Sequence, residues 1–256
     1  MNALLSMKNC TLQFGGLTAV SQFDFSLSSG ELVGLIGPNG AGKTCIFNLL
    51  TGIYKPDPGE IFFDSRPIHN LPPYKINQLG IARTFQNIRL FNSLTALENV
   101  RMGFHHYLKH GTGEAVIRTR AYYMEEDRIY RECIELLKIF GLEGFEKEQA
   151  KHLPYGEQRR LEIVRALATR PKVMLLDEPA AGMNPQEKVE LKKLIRWIRK
   201  EFGLTILLIE HDMSVVMDLC ERIVVLDHGE TIAKGKPEEV RKDPKVIEAY
   251  LGESHA

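Results

Sequence analysis

The sequence contains no cysteine pattern that could frame a disulfide scaffold or a zinc site. Its four cysteines are scattered, with no C-x-x-C pair, at Cys10, Cys45, Cys133 and Cys220. This spacing favours reduced thiols in a reducing compartment. Cys45 has two open interpretations, a redox-sensitive thiol or an inert one packed beneath a neighbouring glycine-rich loop, and we expect the second.

Long apolar runs and an excess of charge of either sign are also missing. No apolar run approaches the ~18 residues that span a bilayer, and the N-terminus lacks the charged start and apolar stretch of a secretory signal. The 33 basic and 33 acidic side chains cancel, so no overall field favours nucleic acid or an anionic lipid surface as a partner. We therefore expect a cytoplasmic chain and no nucleic-acid partner.

The composition is that of a single α/β unit. The chain has 256 residues, 44% of them apolar and 26% charged, which is enough to bury a core. Strand signals occupy the N-terminal third, at 7–14, 23–27, 31–36 and 60–64. We expect these short strands to form a mostly antiparallel layer beside the glycine-rich loop.

The middle of the chain, from about 87 to 151, has a helical pattern instead. Five apolar residues share one face of a helix that ends near Gly141, namely Ile129, Cys133, Leu136, Leu137 and Phe140. A helical insertion is therefore expected to split the core.

Helices and strands alternate after the insertion. The pattern predicts helices at 157–169, 186–202 and 213–220, and strands at 173–176, 204–209 and 222–226. Alternation of this kind favours a parallel sheet that binds ligands at the carboxyl ends of its strands.

Residues 37–44 match the full G-x-x-x-x-G-K-[ST] motif, between an apolar strand and a helix-like segment. Glycines let backbone N–H groups turn toward a polyphosphate, Lys43 adds a positive charge, and the Thr44 hydroxyl can ligate Mg²⁺. A chance glycine-rich turn is the alternative, but strand, loop, lysine, hydroxyl and helix occur in the required order. We predict nucleoside triphosphate binding by Gly37, Pro38, Asn39, Gly40, Ala41, Gly42, Lys43, Thr44 and Cys45.

A second nucleotide signal is the apolar run 173–176 followed by Asp177 and Glu178. The strand delivers two carboxylates to the end of the sheet where the phosphate loop opens. Asp177 is suited to hold the magnesium ion, directly or through water, and Glu178 to polarise a water for attack on the γ-phosphate. The alternative is an acidic pair that merely solvates a strand end.

Residues 153–160, L-P-Y-G-E-Q-R-R, resemble the signature loop of ATP-binding cassette ATPases, whose usual form is L-S-G-G-Q at the start of a helix. Gln86 resembles the family's Q-loop glutamine, His211 its switch histidine, and Phe14 the aromatic that stacks on adenine. Taken singly, these could be an exposed glutamine, a capping histidine and a core aromatic. Their order around the two phosphate motifs favours the family assignment.

The resemblance covers essentially the whole chain and implies a fold. That fold is α/β, a RecA-like phosphate-loop NTPase core with an N-terminal antiparallel β layer and an inserted helical subdomain. We expect 1–86 to form the core with the β layer and phosphate loop, 87–156 the helical insertion ending in the signature loop, and 157–256 the rest of the core.

Four stretches together resemble one subfamily, the G-type ATPase of high-affinity branched-chain amino acid importers. They are Y-G-E-Q-R-R-L-E-I, E-P-A-A-G-M-N-P, G-I-A-R-T-F-Q and the tail 243–253. Tyr155, Glu157 and Asn184 depart from the usual signature and D-loop residues. The solute is implied by resemblance alone, because the cassette does not contact it.

The resemblance also implies a mechanism with ATP and Mg²⁺. Its catalytic residues would be Glu178, His211 and Gln86, and its metal site would use Thr44, Gln86 and Asp177. A head-to-tail dimer would place two ATPs between subunits, with the signature residues Tyr155, Gly156 and Gln158 on the partner's nucleotide. Gly156 is expected to open a helix, whose N-terminus is an anion site without a phosphate motif of its own.

The implied partners are two membrane-spanning permease subunits, a second cassette ATPase of the same or a related chain, and, indirectly, a solute-binding protein. This assembly would hold the chain peripherally at the cytoplasmic face of the inner membrane. Lipopolysaccharide-export cassettes share E-P-x-A-G-x-x-P and are the alternative within transport. Non-transport cassettes, such as DNA-repair or ribosome-associated ATPases, fit less well because the insertion is short and the cassette single. A phosphate-loop kinase or GTPase would need an acceptor site or a guanine-reading N-K-x-D motif, and neither appears in the sequence.

Overall fold

Residues 3–107 and 120–252 are described in a computed structural model of the chain. The chain divides into two units, one formed by Met1–Gln86 with Lys172–Ala256, and the other by Asn87–Pro171. The last residue of the predicted tail signature, Glu253, and residues 108–119 of the predicted insertion lie outside the described residues.

The first unit contains a six-stranded sheet in the order β10-β9-β3-β8-β7-β6. Five of these strands run parallel, and β10 is antiparallel to β9 at one edge. The strands are β3 (Leu32–Ile36), β6 (Ile81–Arg83), β7 (Val173–Asp177), β8 (Thr205–Ile209), β9 (Arg222–Asp227) and β10 (Glu230–Gly235). Every residue of β3, β7 and β8 is buried, as expected for a parallel sheet covered on both faces.

A four-stranded sheet in the order β2-β1-β4-β5 forms the antiparallel layer of the same unit. Its strands are β1 (Leu5–Phe14), β2 (Leu17–Leu27), β4 (Glu60–Phe63) and β5 (Arg66–Pro67). One apolar cluster contains residues from both sheets and from the helix after the phosphate loop, so they share a core.

The structure corrects the sequence-based assignment of one strand. The segment 31–36 was expected in the antiparallel layer, but β3 lies between β8 and β9 in the parallel sheet. Its residues are buried without alternation, which is the pattern of a strand covered on both faces rather than of a half-exposed antiparallel strand.

The first unit contains six helices among its described residues, of which two after residue 172 were predicted, at 186–202 and 213–220. They are α1 (Lys43–Leu50), α2 (Pro73–Leu79), α6 (Pro185–Glu201), α7 (Met213–Leu219), α8 (Pro237–Val240) and α9 (Pro244–Gly252). Asn184 caps α6, since its side chain accepts from the Glu187 N–H at 3.0 Å and the Glu187 carboxylate accepts from the Asn184 N–H at 2.8 Å.

The second unit consists of helices α3 (Ala96–Gly103), α4 (Arg120–Ile139) and α5 (Tyr155–Ala168), with 3₁₀ turns at His105–Tyr107 and Ala150–His152. The predicted apolar stripe of α4 is buried at Ile129, Cys133 and Leu137. The unit ends at 171 rather than at the expected 156, because α5 packs against α3 and α4. No helix within the described part of the chain is both long and apolar enough to cross a membrane.

Candidate nucleotide-binding and catalytic site

The phosphate loop connects the end of β3 to the start of α1. Gly42 precedes the helix in a left-handed conformation with φ of 99°. A Cβ at Gly42 would lie 2.4 Å from the Ala19 carbonyl oxygen, and one at Gly37 would lie 2.1 Å from the Leu226 carbonyl oxygen. The loop therefore requires glycine at both positions, because a side chain at either one would clash with a backbone carbonyl and displace the loop.

Gly229 supports the loop from outside the motif. Its N–H donates to the Ala41 carbonyl at 3.1 Å, and its own carbonyl accepts from the Ser21 N–H at 2.9 Å. A Cβ here would lie 2.8 Å from the Ala19 carbonyl oxygen, on a backbone with φ of +81°. The turn between β9 and β10 thus joins the phosphate loop to the antiparallel layer.

Lys43 is the buried cation of the loop. Its Nζ donates to the carbonyl oxygens of Gly37 at 2.6 Å and Pro38 at 2.7 Å. Thr44, Asn39 and Gly40 are exposed. Because a buried ammonium lies behind exposed loop backbone and an exposed hydroxyl at the start of α1, the loop fits a polyphosphate with a magnesium ion.

Asp177, the predicted magnesium ligand, ends β7. Its Oδ2 accepts a hydrogen bond from Arg83 Nη2 at 2.8 Å, and both side chains are only 5% exposed. The second guanidinium nitrogen, Nη1, donates to Asn48 Oδ1 on α1 at 2.7 Å. The Asp177 N–H also donates to the Thr84 hydroxyl at 3.4 Å.

The structure brings the three predicted catalytic side chains together. Gln86 Nε2 donates to Glu178 Oε2 at 2.9 Å, and His211 Nδ1 lies 3.5 Å from the same oxygen. Glu178 has a φ of 46°, uncommon for a residue other than glycine, and its N–H donates to the Ile209 carbonyl at 2.9 Å. Strained backbone of this kind is concentrated at functional sites.

Glu210 anchors the segment that carries His211. Its buried carboxylate accepts from the N–H groups of Ala180 at 2.7 Å, His211 at 3.1 Å and Asp212 at 3.3 Å. Burial raises the pKa of Glu210, and these N–H donors act in the opposite direction. The loop after Glu178 and the loop after β8 are therefore joined through one side chain.

The simpler explanations of His211 and Phe14 do not match the structure. His211 does not cap α7, because Asp212 does so by accepting from the Ser214 N–H at 2.9 Å. Phe14 is 45% exposed and packs edge-on against Tyr54 with ring centroids 5.2 Å apart. An exposed ring at the end of β1 is available for stacking on a planar base.

Cys45 is half-buried against the core cluster beneath the loop, and burial raises the pKa of its thiol. A thiol with a raised pKa forms little thiolate at neutral pH, which favours the inert interpretation.

The signature loop belongs to the second unit. Helix α5 begins at Tyr155 after Pro154, so Gly156 is its second residue and not, as predicted, the residue that opens it. Gln158 Nε2 donates to the Leu153 carbonyl at 2.8 Å, and Tyr155 is half exposed with its hydroxyl 3.2 Å from Arg159 Nη2. Pro154 occupies the N-cap position of the helix with a φ of −54°, which the proline ring favours.

Several charged residues near these sites were assigned no role by sequence analysis, chiefly Arg83, Glu210 and Arg159. Arg159 is completely buried and donates to Glu162 Oε2 at 3.1 Å. In the sequence, these residues are charges at the end of an apolar strand or within an apolar helix face. The sequence alone does not show that such a charge is buried.

The donor set fits magnesium rather than an all-protein metal site. Across residues 3–107 and 120–252, no group of three or more His, Cys, Asp or Glu side chains could hold a metal ion. Magnesium commonly uses one or two carboxylates together with substrate phosphates and water, and the Asp177 carboxylate and the Thr44 hydroxyl are donors of that class.

Two family models match the chain. The ABC transporter model matches residues 20–181, and the model described as branched-chain amino acid ATP-binding cassette transporter matches residues 230–256. The high-affinity branched-chain amino acid transport ATP-binding protein LivG of Salmonella typhimurium is 45% identical over 251 residues, covering 98% of each chain. The lipopolysaccharide export system ATP-binding protein LptB of Haemophilus influenzae is 35% identical over 251 residues, again 98% of each chain.

Solved structures show the same fold. The ADP conformation of MJ1267, an ATP-binding cassette of an ABC transporter, has a TM-score of 0.84 and 29% identity, covering 98% of this chain and 100% of that one. A dimeric post-hydrolysis state of the cassette MJ0796, bound to ADP and Pi, has a TM-score of 0.76 and 28% identity, covering 91% and 98%.

These matches confirm the predicted fold class and the predicted family, and the export-type relative shares less identity than the amino acid transport relative. The chain belongs to the ATP-binding cassette transporter family, whose ATP-binding proteins hydrolyse ATP to power transport, alongside those of branched-chain amino acid transport.

Proposed function

We propose that this chain is the ATP-hydrolysing subunit of an importer for branched-chain amino acids. The observation that carries the hydrolysis assignment is the proximity of Gln86 and His211 to one oxygen of Glu178, in the unit that also holds Lys43. The solute is supported by the match of residues 230–256 to the branched-chain amino acid ATP-binding cassette transporter model. This arrangement supplies a carboxylate for water activation in the same unit as a phosphate-binding loop.

ATP would be held by residues 37–45, with Lys43 at the β- and γ-phosphates and Phe14 on the adenine. Thr44 and Asp177 would hold magnesium, with Gln86 as a further ligand. Magnesium, when bound, would neutralise charge that develops on the phosphate oxygens. Lys43 would leave its carbonyl partners in the loop for the phosphates, since charge-assisted bonds to phosphate are stronger than bonds to neutral carbonyls.

Glu178 would orient the attacking water and accept its proton. Gln86 donates to Oε2, and His211 lies close to that same oxygen, so both residues restrict the rotation of the carboxylate. His211 is 62% exposed, which leaves it accessible to the γ-phosphate. Hydrolysis would then depend on three side chains held by the ends of β6, β7 and β8.

A second cassette would complete each site through its signature loop. Helix α5 is 14 residues long, and its N-terminal N–H groups around Gly156 can bind an anion. The phosphate-loop motif lies in the first unit, so this helix end can serve the nucleotide of a second cassette. Tyr155 and Gln158 flank this end of the helix. A dimeric relative bound to ADP and Pi supports a paired arrangement, which here would use the same or a related chain.

The remaining assignments extend the family relationship to this chain. The named relatives act in branched-chain amino acid transport, and the C-terminal segment matches a model of that description. Two permease subunits would hold the chain peripherally at the cytoplasmic face of the membrane, and a solute-binding protein would deliver the amino acid. We assign no nucleic-acid partner, because the charges of the chain balance.

The catalytic assignment is tested by Glu178→Gln. The amide keeps the shape of the side chain but cannot accept the water proton, so turnover should fall by ~10²-fold or more while ATP still binds. Phosphate release and fluorescent-nucleotide titration measure the two quantities. Glu230→Gln, at an exposed glutamate of the same unit, is the matched control. Parental turnover in Glu178→Gln would remove this residue from the catalytic position.

The transport assignment is tested by co-purification from membranes. We expect two membrane-spanning subunits and a soluble protein that binds leucine, isoleucine or valine to accompany the chain. Uptake of labelled leucine by proteoliposomes containing that complex should require ATP and be lost in Glu178→Gln. Recovery with an export complex, or ATP-driven uptake of an unrelated solute, would contradict import of branched-chain amino acids.

A further inference from the structure

We propose that Arg83 is a positioning residue for the magnesium site, which acts by fixing the carboxylate of Asp177. This inference rests on the proposed function, because it requires that Asp177 hold the metal. Arg83 lies at the end of β6, paired in register with Leu175, two residues before Asp177 on the adjacent strand. It stands three residues before Gln86 and belongs to neither of the nucleotide motifs found in the sequence.

The contact between the two side chains is specific. Arg83 Nη2 donates to Asp177 Oδ2 at 2.8 Å. A carboxylate has two oxygens and about four lone pairs, so a single donor on Oδ2 leaves further acceptor capacity for a metal ion or its water. Arg83 therefore holds the carboxylate in one rotamer without occupying all its lone pairs.

The guanidinium is itself fixed from several sides. Nη1 donates to Asn48 Oδ1 at 2.7 Å, and the rings of Phe47 and Phe85 lie 5.3 Å and 4.8 Å from its central carbon. Its Nε is buried without a hydrogen-bond partner among the described residues. The group is thus oriented by Asp177 and Asn48, at the expense of satisfying its third nitrogen.

These contacts connect the two elements that would hold the ion. Asn48 lies on α1, the helix that begins with Lys43 and Thr44, and Asp177 ends β7. Arg83 therefore links α1, which carries the Thr44 hydroxyl, to β7, which carries the Asp177 carboxylate. Groups that hydrogen-bond to metal ligands orient those ligands, and their removal commonly lowers metal affinity by about 10- to 100-fold.

The experiment measures the gain in ATP affinity that magnesium provides. A fluorescent ATP analogue is titrated into the full chain with EDTA and with saturating Mg²⁺, in the Glu178→Gln background so that it is not hydrolysed. The ratio of the two Kd values is the magnesium gain. The variants are Arg83→Met, Arg83→Lys and Asp177→Asn, with Arg66→Met, at an exposed arginine of the same unit, as the control.

We expect Arg83→Met to lower the magnesium gain by ~10-fold or more, with the Kd in EDTA unchanged within about twofold. Arg83→Lys keeps a positive charge but not the planar fork, so it should lower the gain by about threefold. Arg66→Met should change neither quantity. If Arg83→Met does not fold, the Arg83→Lys result decides alone, and an unchanged gain there overturns the proposal.

Three results for Arg83→Met would overturn the proposal. An unchanged gain would show that Asp177 needs no such support, and a parallel loss of affinity in EDTA and in Mg²⁺ would show a structural role only. An increased gain would show that Arg83 competes with the cation. If Asp177→Asn keeps the magnesium gain, the proposed metal role of Asp177 is refuted. If Asp177→Asn loses the gain and Arg83→Met keeps it, only the role of Arg83 is refuted.

Discussion

Gly229→Ala should weaken ATP binding although Gly229 lies 185 residues beyond the phosphate motif, in a turn that is joined to that motif by a hydrogen bond to Ala41. The substitution places a Cβ 2.8 Å from the Ala19 carbonyl oxygen and 3.1 Å from the Val20 Cα. Both neighbours are backbone, so neither can rotate away. The turn must move, and the hydrogen bond from its N–H to Ala41 moves with it.

Three contributions determine how much Gly229→Ala lowers the free energy of unfolding. A left-handed φ costs a residue other than glycine about 1–2 kcal/mol, and the stiffer unfolded chain returns about 0.4–1 kcal/mol. Displacement weakens two backbone hydrogen bonds, to Ala41 and from Ser21, which are worth about 1 kcal/mol each. With both hydrogen bonds lost, these contributions lower the free energy of unfolding by about 2–3.6 kcal/mol, and ATP affinity falls by about fivefold because the loop shifts.

Gly203→Ala is the matched control. Gly203 also has a left-handed φ, +61°, but its Cβ would meet nothing within 4 Å. Urea unfolding and fluorescent-nucleotide titration should show a loss of about 1 kcal/mol or less and unchanged ATP affinity for this variant. Equal destabilisation of the two variants, with ATP affinity unchanged in both, would refute the role of Gly229 in supporting the loop.

Three further predictions concern the charges and the signature helix. Lys43→Ala should raise the Kd for ATP at least tenfold, about 1.4 kcal/mol, in a fluorescent-nucleotide titration, and unchanged binding would contradict the phosphate-loop assignment. Asp212→Asn keeps the cap of α7 but removes a carboxylate whose pKa is held low by hydrogen bonds from Lys188 and Ser214. The variant should be about 1 kcal/mol less stable than the parent in urea unfolding at pH 7. This stability difference should vanish as the pH falls below the ordinary aspartate pKa of 3.8 toward the lower pKa of Asp212 in the folded protein. A stability difference between variant and parent that persists in strong acid would contradict this cause. Tyr155→Ser should preserve the ATP-dependent dimer and Gly156→Asp should abolish it, because a carboxylate would face a polyanion at the helix N-terminus; size-exclusion chromatography with ATP in the Glu178→Gln background checks both, and the reverse order would assign the contact to Tyr155 itself.

The local motifs were readable from sequence because their chemistry is contiguous. The loop 37–44 and the pair after β7 each place their functional atoms within a few residues, and the flanking apolar runs identify the strands that carry them. Two helices (α6 and α7) and three strands (β7, β8 and β9) after residue 172 were also predicted within one or two residues of their observed bounds, whereas β10, α8 and α9 were not predicted.

The sheet that contains β3 could not be identified in the same way. Residues 31–36 resemble the neighbouring antiparallel strands in length and composition, and their true partners begin at Ile206 and Arg222, far later in the chain. The sequence pattern assigns α5 to the core rather than to the helical unit for a similar reason. Its packing against α3 and α4 depends on contacts between segments that are distant in the sequence.

Buried charge was the other feature that sequence did not reveal. Arg83 and Glu210 resemble ordinary polar residues at strand ends, and only their partners show otherwise, since one holds Asp177 and the other three backbone N–H groups. The roles assigned to Gln86, Glu178 and His211 stay predictions, although the structure places these three side chains together.

The position of β3 has a consequence for synthesis of the chain. Both of its neighbours in the sheet, β8 and β9, are translated after residue 204, so β3 has neither edge paired while the first 200 residues emerge from the ribosome. The strand that precedes the phosphate loop is almost wholly apolar, and an unpaired apolar strand is prone to aggregate. The nascent chain thus exposes its central strand until the last fifth of translation, and a chaperone that shields residues 32–36 during that interval would protect the site before it can bind a nucleotide.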